Sequence, residues 1–232
     1  MRDFLNSQYA MPNANDFLIA DFASGENDNI PNFIHRVLPD LLPDLDFSRR
    51  RTITYSTDLH GLRLDSLYSL FQEREIVGFA RAVHARLESM VSEASFREEQ
   101  SDYLQAHQDE LTVLDKRIIN ERRIGSDIFD LGFLNNDVIG YLFEYYKAYT
   151  DALASLEAVR KTLRPGGLLI VTQPCSLYPV NNFDVLKRVG FSFVEGFDFD
   201  LKTGESISID ESVELGALSR LGHYTFLILR KA

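Results

Sequence analysis

The sequence has little of several features that would narrow its function at once. Its 232 residues include one cysteine, Cys175, so no disulfide can form within the chain and a reducing compartment is expected. There is no apolar signal core near the start and no run of the ~20 apolar residues that a spanning helix needs. These absences predict a cytoplasmic protein without a membrane partner.

Basic residues are outnumbered as well. The chain has 24 Lys and Arg against 35 Asp and Glu, which gives a formal net charge of -11. A nucleic-acid-binding surface would shift this balance the other way, so the charge argues against a nucleic-acid substrate. The histidines show no metal-ligand spacing with one another or with Cys175, and we expect no metal. They are His35, His60, His84, His107 and His223.

Apolar strand-like segments alternate with helical patterns along the whole chain. The predicted strands are 16–22, 52–59, 116–119, 127–137, 168–173, 192–199 and 224–230. This alternation predicts an α/β fold with a doubly wound, mostly parallel, seven-stranded sheet in a single domain over 1–232. Ile76, Ala80, Val83 and Leu87 fall at helical spacing, so extra helices are expected after the second strand, as an insertion over approximately 73–114.

The first strand ends in a small-residue turn with a single glycine, Gly25. In open α/β sheets, ligands bind at the carboxyl ends of the strands, and Ala23 and Gly25 would allow close approach to the backbone. A dinucleotide motif would place Asp28 beside a pyrophosphate, and Glu26 would add a second negative charge, which disfavours that ligand. A cationic ligand without phosphate suits Asp21, Glu26 and Asp28 better. A plain strand-to-helix connection is the alternative.

At this turn the sequence resembles the class I S-adenosylmethionine-dependent methyltransferases. Their first motif is D-x-G-x-G-x-G, and two of its glycines are replaced here. The matching residues are Asp21, Phe22, Ala23, Ser24, Gly25, Glu26 and Asn27.

Later segments extend the resemblance over most of the chain, in the order of the family. Asp58 closes the second strand, where the family has an acidic residue that accepts hydrogen bonds from the ribose hydroxyls; the alternative is that it caps the next helix. The "SDIFDLGFLNND" segment is similar to the fourth strand, and the "LRPGGLLIVTQP" segment is similar to a recurring helix, glycine turn and strand. The "HYTFLILRKA" segment is similar to the family's antiparallel last strand.

The resemblance implies a set of residues that contact S-adenosylmethionine. Asn120 belongs to this set only if residues 116–119 form the third strand. The alternative for this segment is a connector between a helix and a strand. The implied contacts are Asp21, Ala23, Ser24, Gly25, Asn27, Asp58, Leu59, Asn120, Leu134 and Asn135. Leu134, Asn135 and Asn136 would lie beside the cofactor and face the substrate. The family also suggests that the N-terminal segment, with Phe4 and Tyr9, folds over the cofactor; a loose terminus is the alternative.

Catalytic residues are less defined, because methyl transfer needs a base only when the acceptor must lose a proton. Weak candidates are His60, Asp137 and Tyr178, and Asp137 is equally suited to cap a helix. The prediction is a methyltransferase acting on a small molecule, with the acceptor and the oligomeric state left open. The rivals are a non-catalytic cofactor-binding or protein-interaction member of the fold and an NAD(P)-dependent oxidoreductase.

Overall fold

The computed structural model describes residues 1–10, 16–91, 124–145, 149–174, 182–211 and 222–232. The chain packs as two compact units. The described residues of the first unit are 1–10 and 16–86, and those of the second are 87–91 and the segments from 124 onward. Whether the chain is a single domain, as expected from its sequence, stays a prediction.

Strands and helices alternate in both units. The helices are α1 (Arg2–Ala10), α2 (Asn29–Asn32), α3 (Leu38–Leu41), α4 (Gly61–Glu73), α5 (Val138–Tyr145), α6 (Tyr149–Thr162) and α7 (Asn182–Val189). The strands are β1 (Phe17–Asp21), β2 (Thr52–Asp58), β3 (Ala80–His84), β4 (Phe129–Leu134), β5 (Leu163–Pro174), β6 (Phe191–Asp200), β7 (Ser206–Ile209) and β8 (His223–Lys231). The α/β class expected from the sequence is confirmed.

The first unit is built on three parallel strands in the order β3-β2-β1. All five residues of β1 are buried, as are six of the seven residues of β2. The sequence predicts β1 from its continuous apolar run and β2 from its high content of β-branched and aromatic residues.

A bend interrupts the helical segment that follows β1. Between α2 and α3, residues Phe33–Val37 form a π-helical turn. Pro39 follows two residues later and has no backbone N–H, so it cannot donate to the carbonyl of His35 as an α-helix requires. The wider turn accommodates this missing bond, and the helical conformation continues to Leu41 instead of ending at the proline.

The strand β3 corrects the prediction of a helix through this part of the chain. Ala80–His84 pairs in parallel with β2, so the proposed helical insertion is wrong over these residues. Side chains of α4 and β3 pack together as one core cluster, consisting of Leu64, Leu67, Phe71, Ile76, Ala80 and Ala82. A five-residue buried strand cannot be distinguished from a helix by its apolar spacing alone, which explains the error. The segment 116–119 and the rest of the insertion beyond residue 91 lie outside the described residues.

The N-terminal helix α1 lies at the opposite edge of the first unit from the one expected. The Tyr9 ring packs against Phe17 at 5.6 Å and Phe47 at 5.0 Å, and its hydroxyl is hydrogen-bonded to Thr52. Phe17 and Thr52 begin β1 and β2, whereas a cofactor would lie at the strand ends. The expectation that Phe4 and Tyr9 cover the cofactor is therefore wrong: both rings pack at the amino ends of the strands.

The second unit has the strand order β4-β5-β8-β6-β7. Strands β4 and β5 are parallel, and β8 runs antiparallel to both β5 and β6, which confirms the expected antiparallel last strand. The described residues contain eight strands, and two of these, β3 and β7, are not among the seven predicted strands. The short edge strand β7 pairs with β6 within what the sequence showed only as a polar stretch.

The helix predicted from about Val138 to Leu163 is present as α5 and α6, with 146–148 between them outside the described residues. After α6 the "RPGG" segment turns the chain into the sheet, and Gly166 has a φ of +76°. No helix in the described part of the chain is long and apolar enough to cross a membrane.

Gly167 offers a test of the "RPGG" turn. A Cβ at Gly167 would lie 2.9 Å from the carbonyl oxygen of Arg164 and 3.2 Å from that of Asp130. Because both are backbone atoms, Gly167→Ala should lower the free energy of unfolding by ~1–3 kcal/mol, measured by chemical denaturation. Gly78→Ala, whose Cβ would meet nothing within 4 Å, is the matched control. Equal stability of the two variants would contradict this account of the turn.

Candidate functional site

The carboxyl ends of three parallel strands form one edge of the first unit. Asp21 ends β1, Asp58 ends β2 and His84 ends β3. Asp58 and His84 are paired in register, and Asp21 is paired with Ser56, two residues before Asp58. Parallel pairing thus brings together the two acidic residues that the sequence singled out, and adds a histidine that it did not.

The turn after β1 is bound to the end of β2 by its backbone amides. The amide of Ala23 donates to Thr57 Oγ1 at 3.3 Å, and that of Ser24 donates to the Thr57 carbonyl at 2.9 Å. The amide of Gly25 donates to Asp58 Oδ2 at 3.1 Å. Three consecutive amides are thus used within the protein, and a phosphate-binding loop would need such amides to point at the ligand.

Two residues of this turn adopt left-handed backbone conformations. Ala23 has a φ of 53° and Gly25 a φ of 68°. Asn27 does not adopt a positive φ; its amide instead donates to the carbonyl of Ser24 at 2.7 Å and fixes the turn. A Cβ at Gly25 would meet nothing within 4 Å, so the backbone at Gly25 borders open space that a ligand can enter.

The carboxylate of Asp58 has two internal partners. Oδ2 accepts from the Gly25 amide, and Oδ1 accepts from the His60 amide at 2.8 Å, just before α4 begins at Gly61. The bond to His60 closes a turn before α4, but the N-cap of α4 is His60, so the alternative that Asp58 caps this helix is wrong. A carboxylate has about four lone-pair positions, so Asp58 can still accept from ribose hydroxyls although its side chain is 5% exposed.

The electrostatic character of the turn is weaker than the sequence indicated. Asp28 is ion-paired with Arg74 at 3.1 Å, and Glu26 is exposed. Asp21 is buried, and burial raises its pKa to about 8, against a smaller lowering by the Ser56 hydroxyl. At neutral pH, Asp21 is therefore mainly protonated, and the three expected negative charges are reduced to one exposed glutamate beside Asp58.

Asp21 has an oxygen without a partner. Its Oδ2 accepts from Ser56 Oγ at 3.5 Å, whereas Oδ1 is buried and has no hydrogen-bond partner among the described residues. An unsatisfied buried polar atom costs about 1–3 kcal/mol, and such atoms in folded proteins call for an explanation. A cation at this edge would stabilise the ionised form of Asp21.

His84 is a site residue that sequence reasoning missed. Its Nε2 lies 2.6 Å from the carbonyl oxygen of Leu59 and donates to it, which leaves Nδ1 as an acceptor. That Nδ1 is buried and lacks a partner among the described residues. The residue was assigned to a helix, and only the pairing of β3 with β2 shows that it lies beside Asp58.

The remaining candidates of the first unit lie near this edge. Leu59 is half-buried and its carbonyl is engaged by His84. His60 is exposed at the start of α4 and its side chain makes no capping hydrogen bond. Asn120 lies outside the described residues, and so does the catalytic candidate Tyr178 of the other unit.

In the second unit, the end of β4 carries the other predicted contacts. Leu134 is fully buried, and Asn135 is half-buried and accepts a hydrogen bond from Thr172. Asp137 accepts from the Gly140 amide at 3.3 Å in the first turn of α5, which is the helix-capping role that was its alternative. No cluster of three or more potential metal ligands occurs among the residues that the structure describes.

Comparison with known proteins identifies the fold. No family model and no curated protein matches the sequence. A TehB-like SAM-dependent methyltransferase from Corynebacterium glutamicum shares a TM-score of 0.51 at 15% identity, over 99% of this chain and 87% of that one. The [4+2]-cyclase SpnF gives 0.51 at 11% identity, over 99% and 79%, and the carbon methyltransferase CurJ gives 0.51 at 15%, over 96% and 50%. The chain therefore has the class I methyltransferase fold.

The buried carboxyl group of Asp21 makes a prediction about stability. The pKa of this group is about 8 in the folded state, above the ordinary value of 3.8. The stability that the protonated group contributes is therefore complete below pH 4 and is lost as pH rises toward 8. Stability should fall over this window, by up to about 1.4 kcal/mol per pH unit from this group. Asp21→Asn should remove that slope in denaturation measured from pH 5 to 8, whereas the exposed control Asp40→Asn should keep it. A wild-type slope retained in Asp21→Asn would contradict the assignment.

Proposed function

We propose that the first unit binds S-adenosylmethionine at the edge formed by Asp21, Gly25 and Asp58, and that the chain transfers the cofactor's methyl group to a small molecule. The observation that carries the proposal is the use of the turn amides by Thr57 and Asp58. A turn with no free amides at these positions is poorly suited to a pyrophosphate but places no restriction on a ligand that lacks phosphate. The class I fold supports the same cofactor.

The residues present fit the chemical groups of this cofactor. Asp58 would accept hydrogen bonds from the ribose hydroxyls, and the open space at Gly25 would admit the ligand close to the backbone. The partnerless oxygen of Asp21 would face a positive charge, to which it can respond by ionising. The sulfonium of the bound cofactor supplies an electrophilic methyl group. The contribution of the protein is then to hold this group in line with the acceptor and exclude water.

Two rivals are separated from this proposal by direct binding measurements. A non-catalytic member of the fold is favoured by the two replaced glycines, and a protein named as a cyclase has a similar fold. An NAD-dependent enzyme would need a pyrophosphate site, against which the bound turn amides argue. Isothermal titration with S-adenosylmethionine, S-adenosylhomocysteine and NAD should give binding of the first two alone. Binding of NAD alone would refute the proposal, and binding of none would favour a scaffold.

Asp58 gives the sharpest mutational test of cofactor binding. Asp58→Asn removes the charge and keeps one acceptor oxygen, while its NH2 group faces the other amide, so chemical denaturation must first show that the variant is folded. The affinity for S-adenosylmethionine should fall by ~1–3 kcal/mol, the scale of a lost charged hydrogen bond. Asp44→Asn, which removes an exposed carboxylate paired with Arg2, is the matched control and should leave the affinity unchanged. Unchanged affinity in a folded Asp58→Asn variant would rule out the ribose contact.

Proton release on binding tests whether a positively charged group of the ligand approaches Asp21. If the sulfonium or ammonium group approaches Asp21, ionisation should accompany binding, and up to one proton should be released at pH 7. Titration calorimetry in buffers of different ionisation enthalpy measures this number. The release should be absent in Asp21→Asn. Equal proton release by the wild-type chain and Asp21→Asn would show that Asp21 does not meet the cation.

A further inference from the structure

One face of the second unit's sheet carries aromatic side chains that are not buried. Antiparallel pairing of β8 with β6 places Tyr224 opposite Phe199 and Phe226 opposite Phe197. Residues directly opposite in a sheet share a face, as do residues two apart in one strand. All four rings are therefore on one face. Each remains half-buried or exposed, with Phe226 36% exposed, and the Tyr224 and Phe226 ring centroids are 5.1 Å apart.

Polar side chains border this aromatic face at the end of β4. Thr172 of β5 is opposite Phe226 and therefore on the same face. Its hydroxyl donates to Asn135 Oδ1 and accepts from the backbone amide of Asn136 at 3.0 Å. The Tyr224 hydroxyl donates to Asn136 Oδ1 and lies 3.1 Å from Thr172 Oγ1. Burial raises the pKa of Tyr224, so its hydroxyl remains a proton donor throughout the neutral range.

The hydroxyl groups determine which way the two asparagine amides point. Because both Oδ1 atoms accept from hydroxyls, each Nδ2 is left as a donor, and neither has an acceptor among the described residues. Asn136 is exposed and has a φ of 59°, and Asp137 follows with a φ of 60°. Non-glycine residues in this region cost free energy and cluster at ligand sites. The turn thus holds two amide donors at the border of the aromatic face.

We propose that the aromatic face and the Asn135–Asn136 turn bind the acceptor substrate, and that this substrate is an uncharged molecule with a planar ring and a hydrogen-bond-accepting oxygen. The ring would stack against Tyr224 and Phe226, and the oxygen would accept from the asparagine amides. Aromatic walls with a few placed polar groups are typical of small-molecule sites. The four rings and the two asparagine side chains carry no charge at neutral pH, which favours a neutral ligand at the end of this face near Asn136. That the ligand is the methyl acceptor rests on the proposed methyltransferase function. That this face binds a neutral planar molecule does not depend on it.

Simple probe molecules test the site without knowledge of the natural substrate. Benzamide has the planar ring and the carbonyl oxygen, cyclohexanecarboxamide lacks planarity, and benzylamine is a cationic donor at neutral pH. Binding of each to the full chain is measured by ligand-observed NMR. Benzamide should bind about tenfold more tightly than either of the others, because only it can use both the rings and the amides. Equal binding of the three probes would overturn the proposal.

Variants then locate the binding. Asn136→Asp replaces a donor by a carboxylate that repels a carbonyl oxygen, and should weaken benzamide binding about tenfold or more. Tyr224→Phe removes the hydroxyl that orients Asn136 and should weaken it about threefold to tenfold. Tyr149→Phe, at an exposed tyrosine of α6, is the matched control and should have no effect. Benzamide binding that none of these variants changes would place the probe elsewhere and refute the site.

Titration of S-adenosylmethionine into the wild-type chain separates the two proposals. Chemical denaturation of Tyr224→Phe and Asn136→Asp reports whether these variants are folded, independently of any ligand. Cofactor binding without selective benzamide binding would refute the acceptor site alone. Selective benzamide binding without cofactor binding would refute the methyltransferase function and leave the aromatic site as a site of another activity.

Discussion

The edge of the first unit depends on the hydrogen bonds between the turn after β1 and the end of β2. Thr57 and Asp58 accept from three successive turn amides, and this attachment holds Ala23 and Gly25 in left-handed conformations. These three amides are therefore not directed at a ligand as those of a phosphate-binding loop would be. The same bonds engage Asp58, so the residue that would contact the ribose is also the residue that shapes the turn.

Charge at this edge is controlled by burial and pairing rather than by the number of acidic residues. Asp28 is neutralised by Arg74, and Asp21 is held mainly protonated by its burial. A fixed buried carboxylate would destabilise the empty protein, whereas a neutral acid that ionises when a cation binds avoids much of that cost. In the proposed complex, the unpaired oxygen of Asp21 would meet the positive charge of the ligand.

The sequence was sufficient where burial leaves a clear pattern and insufficient where partners are distant along the chain. Strands β1, β4 and β5 have apolar runs bounded by turn residues, and β2 is rich in β-branched residues. The glycines at 166 and 167 fix the turn before the buried part of β5. The strand β3 was taken for a helix because Ala80 and Val83 also fit helical spacing with Ile76 and Leu87. Its assignment requires the pairing with β2, which no local pattern contains.

The same limit applies to the candidate sites. Asp58 and Gly25 were found from their positions at a strand end and in a turn, but the bond between them joins residues 33 positions apart. Tyr224 was read only as part of the last strand, and its hydroxyl reaches Asn136 across 88 positions. Such contacts follow from strand order and register, so side chains that appeared unrelated in sequence become one group of donors and rings. The chemistry of a ligand site is for this reason less predictable from a single sequence than the strands that support it.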